Sequence, residues 1–111
     1  MKMLVIDGHS IATDKEGYLK NLNDWSKPVA EAIALQEHIT LTHQHWEIIE
    51  LLQGFYQEFE ISPAMRVLVK AVGQQLGKDK GRSIYLMGSF SESPAKLASK
   101  IAGLPKPTNC L

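Results

Sequence analysis

Asp7-Gly8 is the pair that most constrains how this chain can fold. It lies between strand-favouring residues, Leu4-Val5-Ile6 before it and Ile11 after it. Both turn residues tolerate positive φ, which a two-residue hairpin loop needs. An isolated hairpin is marginal in water, so this one must pack on another element. The rest of the chain offers helices, because its apolar residues recur at helical spacing.

Thr13 to Tyr18 is polar and turn-like, and Tyr18, Leu19, Leu22 and Trp25 are expected to pin that loop to the core. Ser26 and Pro28 open a helix running to about His38, with Val29, Ile33 and neighbouring alanines inward. Thr42 is the N-cap of the next helix. Leu41 before it and Trp46 at the fourth helical position have the spacing of a hydrophobic staple. Ile48, Leu52, Phe55 and Phe59, flanked by Ile49 and Tyr56, then form one apolar face. Ser62-Pro63 is predicted to cap a third helix whose inner face is Met65, Leu68, Val69, Val72 and Leu76, ended by Gly77. Asp79 to Ser83 reads as a loop, and Ile84 to Met87 fits either a short helix or an extended piece. Ser93-Pro94 opens a last helix with Leu97, Ala98 and Ile101 inward, and Gly103 is placed to end it in a left-handed cap.

The expected fold is therefore mostly α (α+β): a small N-terminal β-hairpin packed on a bundle of four to five helices, with a flexible C-terminal arm. Residues 1–103 are expected to form a single helical globular domain, and 104–111 a mobile arm. Hydrophobic residues make up 44% of the 111, enough for one small core and not two.

Lysine plus arginine and aspartate plus glutamate each number 12, so the net charge is zero. That argues against nucleic-acid binding by a bulk basic field, and no direct binding is expected. A single cysteine cannot make an internal disulfide and suits a reducing compartment. No stretch is long and apolar enough to span a membrane, and Met1 to Ile6 is too short for the apolar part of a signal peptide. The expectation is a cytoplasmic protein with no membrane partner.

The lone cysteine, Cys110, lies beyond a stiff Pro105-Lys106-Pro107 stretch. Position alone does not separate a functional thiol from an incidental one on a frayed end. Reach favours function. A polyproline path rises about 3.1 Å per residue, so the arm can project a thiol roughly 20 Å into another protein's site. The thiolate is the reactive form; the terminal carboxylate beside Cys110 would disfavour it and Lys106 would favour it, and both charge effects are screened in an exposed tail.

Four stretches carry a family resemblance. Lys100-Ile101-Ala102-Gly103-Leu104-Pro105-Lys106-Pro107 followed by Cys110 resembles the C-terminal signature of the TusE/DsrC family of sulfur-relay proteins. Thr13-Asp14-Lys15-Glu16-Gly17-Tyr18-Leu19 is similar to its N-terminal segment, and 62–71 to its central helix. Lys80-Gly81 with Ser83, Tyr85 and Leu86 matches a further stretch. The resemblance implies a mostly helical fold whose terminal cysteine, here Cys110, carries sulfur with no cofactor, as a covalent carrier more than an enzyme acting on a free substrate. In the TusE branch the implied partners are a TusBCD-like donor complex and an MnmA-like thiouridylase. The thiouridylase brings the tRNA whose wobble uridine is thiolated. In the DsrC branch the implied partner is a dissimilatory sulfite reductase, and a second cysteine sits on the same arm. This chain has Ser99 at that place, which favours the one-thiol branch. Between Tyr85 and Pro94 it departs from the family, with Met87, Gly88, Ser89, Phe90 and Ser91 where a second aromatic, a basic residue and a Phe-Pro pair are common.

Other features have plainer readings. His43 and His45 are two apart and point to different faces of a helix, so neither they nor His38 make a metal site. The helices around Glu60-Ile61-Ser62-Pro63 have the outline of a helix-turn-helix regulator, with Arg66 and Lys70 toward phosphate, but neutral charge favours a packed pair. Arg66 and Lys70 then become possible contacts for an acidic partner or for the arm. Glu47, Glu50, Glu58 and Glu60 read as the wet face of a helix.

Overall fold

The computed structural model describes residues 2–108. Two antiparallel strands, β1 (Lys2–Ile6) and β2 (His9–Thr13), pair with Ile6 opposite His9 and Lys2 opposite Thr13. Asp7 (φ 49°) and Gly8 (φ 80°) form the two-residue turn. Strand alternation turns Leu4 and Ile6 toward the core and Met3 and Val5 to solvent. The hairpin rests on α1 (Lys27–Gln36).

Four more helices follow: α2 (His43–Phe59), α3 (Met65–Leu76), α4 (Ser83–Phe90) and α5 (Pro94–Ile101). A single 3-10 turn, Leu22–Asp24, precedes α1. The Ser26 hydroxyl caps α1 by accepting the Val29 N–H at 3.3 Å, with Pro28 in the first turn. Gly77 ends α3 with φ 115°, and Gly103 follows α5 with φ 76°. The hairpin on a helical bundle is the expected architecture.

The eight residues of α5 form the centre of the bundle, touching α1, α2, α3 and α4. Its buried positions explain how: Ala95, Ala98 and Ser99 are small, so four helices can approach one short helix closely. One continuous core results, from Leu4 in the hairpin through Ile33, Ile48, Leu52, Leu68 and Leu86 to Ile101 and Leu104.

Two local details differ from the sequence expectation, and two others, left open or unread there, are decided by the structure. The third helix starts at Met65 with Ala64 as its N-cap, not at Ser62-Pro63. Phe59 lies in the last turn of α2, past the core, and is 53% exposed with its ring against Phe55. Ile84 to Met87 is helical, as part of α4, because Leu86 and Phe90 are one turn apart and both fully buried. His45 is buried: Thr42 N–H donates to its Nδ1 at 3.0 Å, and its Nε2 donates to the Ser89 carbonyl at 2.7 Å. The spacing is that of a capping box, with histidine in the place of the usual glutamate.

Candidate functional site: the seat of the C-terminal segment

Cys110 lies outside the described residues, which end at Thr108. The site that can be built is the base from which the chain leaves the body toward it. The helix ends at Ile101, and the next residues are held by groups from four different parts of the chain. The Trp25 indole N–H donates to the Ile101 carbonyl at 2.8 Å. The Gln53 side-chain amide donates to the Ala102 carbonyl. Leu104 N–H turns back to the Ser99 carbonyl at 2.9 Å, and Gly103 N–H to that of Lys100 at 3.1 Å. The Ser62 hydroxyl donates to the Pro105 carbonyl. Lys106 Nζ lies 3.1 Å from Glu16 Oε1.

Gly103 is required twice over. Its φ of 76° disfavours any residue with a Cβ, and a Cβ placed there would meet the Trp25 ring and its Cβ at 2.3–2.8 Å. The indole thus packs directly on the backbone of residue 103. Leu104 and Pro107 are buried, Pro105 is half-buried, and Lys106 and Thr108 are exposed. The first four residues of the segment expected to be an arm therefore lie against the body.

The loop 13–19 supplies the other wall. Asp14 Oδ1 accepts the N–H groups of Glu16 (2.9 Å) and Tyr18 (3.0 Å), closing the loop on itself. Tyr18 is buried, and its hydroxyl donates to the Lys96 carbonyl of α5 at 3.1 Å. Lys100 sits between Glu37, 3.3 Å away, and the Tyr18 ring, 5.2 Å from its centroid. Loop 13–19, Ser62 and residues 100–107, far apart in sequence, thus meet around the base of the C-terminal segment.

Of the sequence-predicted residues, Lys106 is in this seat, paired with Glu16. Arg66 and Lys70 are exposed on α3, one turn apart. Lys70 lines a shallow groove between α2 and α3 with Phe55, Phe59 and Val67, and neither it nor Arg66 lines the hollow beside Pro105 and Thr108. Gln53, Ser62 and Trp25 were not singled out as holding groups. Gln53 had a readable signal, since it falls on the apolar stripe Ile49, Leu52, Gln53, Tyr56 where a polar side chain needs a partner. The bond from Ser62 spans 43 residues and leaves no local trace. His43 is exposed, 3.8 Å from Glu47, and His45 is buried elsewhere, so the described histidines do not converge. No group of three or more His, Cys, Asp or Glu able to hold a metal is present among the described residues. No described helix is long and apolar enough to cross a membrane.

The fold and this seat define a small helical protein that fixes the root of its C-terminal segment by contacts from both halves of the chain. The chain belongs to the DsrC-like protein family, whose model matches residues 5–111. It is 54% identical over 111 residues to the sulfurtransferase TusE of Photorhabdus laumondii, covering all of both chains. It is 50% identical over 109 residues to the sulfurtransferase TusE of Escherichia coli, covering 98% of this chain and all of that one. Among solved structures, DsrC of Allochromatium vinosum superposes with a TM-score of 0.90 at 52% identity, covering 98% of this chain and 97% of that one. The oxidized gamma-subunit of the dissimilatory sulfite reductase (DsrC) of Archaeoglobus fulgidus gives 0.87 at 35% identity, covering 99% and 100%.

Proposed function

We propose that this chain is a sulfur carrier that holds sulfur on Cys110 as a persulfide. The observation that carries the reading is the seat: residues 101–107 are gripped by Trp25, Gln53, Ser62 and Glu16, two or three residues short of the chain's single cysteine. A frayed end with an incidental thiol has no need of such a base. The sulfurtransferase name of relatives at about half identity supports the same reading.

The chemistry is thiol exchange. The Cys110 thiolate attacks the outer sulfur of a donor persulfide. The new S–S bond forms on Cys110 as the donor's S–S bond breaks, and the donor leaves as its thiolate. An acceptor thiolate then attacks the outer sulfur of the Cys110 persulfide and releases Cys110 as thiolate. No net oxidation occurs and no cofactor is consumed. The donor in this proposal is a TusBCD-like complex, and the acceptor an MnmA-like thiouridylase acting on tRNA. The setting is the reducing cytoplasm, where a lone thiol stays available.

Ser99 favours a one-thiol carrier over a two-thiol sulfite-reductase partner. It occupies the place of that branch's second cysteine, is fully buried on α5, and offers no second thiol for an internal disulfide.

Incubation with a cysteine desulfurase, cysteine and the donor complex, followed by intact mass measurement, tests the proposal. Wild type gains a sulfur that reductant removes, and Cys110→Ser gains none. Failure of wild type to gain sulfur, or equal gain by the serine variant, overturns it.

A further inference from the structure

The described chain ends at Thr108 at the lip of a hollow of about 120 Å³ lined by Glu60, Ile61, Ser62, Pro105, Lys106 and Thr108. Cys110 follows Thr108 by two residues, which span at most about 7 Å when fully extended. With Leu104 and Pro107 seated, the thiol stays within roughly 10 Å of the Thr108 Cα, so a partner's reacting sulfur has to come to this corner of the body.

The corner has the surface of a docking site. Phe59 and Val67, also exposed, line the separate groove between α2 and α3, so the apolar wall of this corner is Ile61 with Pro105. Ile61 is 61% exposed and lines the hollow itself. Glu60, held at φ 57°, is exposed beside it and has no ion pair among the described residues. An apolar centre with an unpaired carboxylate at its edge is complementary to an apolar side chain flanked by a basic group.

We propose that the persulfide-bearing protein partner docks on the Glu60–Ile61 corner. An apolar side chain of the partner enters the hollow and a basic group faces Glu60, while Leu104 to Pro107 remain seated. This rests on the carrier reading and assigns it a surface. Arg66 and Lys70, on the outer face of α3, lie outside the hollow.

The test compares two sources of sulfur. A low-molecular-weight polysulfide needs no docking, whereas the desulfurase with the donor complex does. Ile61→Asp is expected to slow loading from the donor complex tenfold or more and to leave loading from polysulfide unchanged. Glu60→Lys is expected to slow donor loading at low salt and less so at high salt. Leu35→Asp, an apolar residue on α1 that is 73% exposed and does not line the hollow, is expected to match wild type in both. Donor loading of Ile61→Asp at the wild-type rate overturns the docking surface and leaves the carrier reading standing. Equal slowing of both loadings also overturns it, since Ile61 would then act on the thiol and not on the partner. Wild type that takes sulfur from polysulfide but never from the donor overturns the carrier reading, and the surface with it.

Discussion

Ser99 is fully buried on α5, and its hydroxyl has no hydrogen-bond partner among the described residues. A serine in a helix interior often returns its hydroxyl to a carbonyl one turn back, but here nothing is gained from the oxygen. Leaving a hydroxyl desolvated and unpaired costs about 1–3 kcal/mol, against the small loss of removing one atom. Ser99→Ala is therefore expected to unfold at an equal or higher urea concentration than wild type, with an unchanged slope. A midpoint lowered by more than about 1 kcal/mol equivalent would show that the hydroxyl has a partner after all. What the residue touches matters as much as what it lacks. Its backbone carbonyl accepts the Leu104 N–H, so the peptide at 99 belongs to the seat although its side chain does not.

At the scale of elements, the start of α3 shows how a long-range bond displaces a local one. Ser62-Pro63 has the composition of a helix cap, yet the Ser62 hydroxyl is committed to the Pro105 carbonyl and the helix begins at Met65. Ser62→Ala removes that grip without touching the helix ladder. Amide exchange of the residues from 104 onward is expected to speed up several-fold, matching about 1 kcal/mol of lost local stability, while amides of α2 and α5 stay as slow as in wild type. Uniform acceleration everywhere would mean that Ser62 supports the global fold instead. The same contrast sets what was legible in the sequence. The Asp7-Gly8 turn, the Ser26 cap, Gly77 and Gly103 are decided by neighbours within a few residues, and their places follow from the chain alone. Phe59 fits the helical period of α2 but lies in the last turn of a seventeen-residue helix, beyond the core and at the open groove toward α3, which periodicity cannot reveal. Gln53, Ser62 and Trp25 act on backbone carbonyls 43 to 76 residues away; Gln53's place on an apolar stripe shows that it needs a partner, but nothing near any of the three says which. Lys106, read from the terminal motif, does lie in the seat, whereas the grip on residues 101–107 was not legible; Cys110, read from the same motif, lies outside the described residues.

For the whole molecule, one short helix of small residues lets four others meet, loop 13–19 and the C-terminal segment close on it, and the hairpin packs on α1. Surface pairs tie the periphery to this centre. Glu47 of α2 meets Lys80, in the loop between α3 and α4, at 2.9 Å. The Lys80 hydrogen bond holds the Glu47 carboxyl below its ordinary value of 4.5, and the same bond holds the Lys80 ammonium above its own. A carboxyl depressed by folding stabilises the native state above its unfolded value and loses that contribution as pH falls through the folded value. Stability measured by denaturant is thus expected to fall as pH drops below 4.5, and Glu47→Gln to flatten that fall. The variant should unfold more easily than wild type near pH 7 and resemble it more closely in acid. An identical pH profile for both proteins would remove the pair from the account.

The Trp25 indole packs on the backbone of Gly103 and hydrogen-bonds to the Ile101 carbonyl. The chain has two tryptophans, so Trp46→Phe leaves Trp25 as a single emitter at the root of the C-terminal segment. Its fluorescence then becomes an unlabelled optical gauge of whether the root is closed. A partner that binds with the seat intact leaves the emission maximum where it was. One that peels the segment away exposes the indole and moves the emission to longer wavelength, which makes the timing of docking and sulfur transfer readable in a stopped-flow cell.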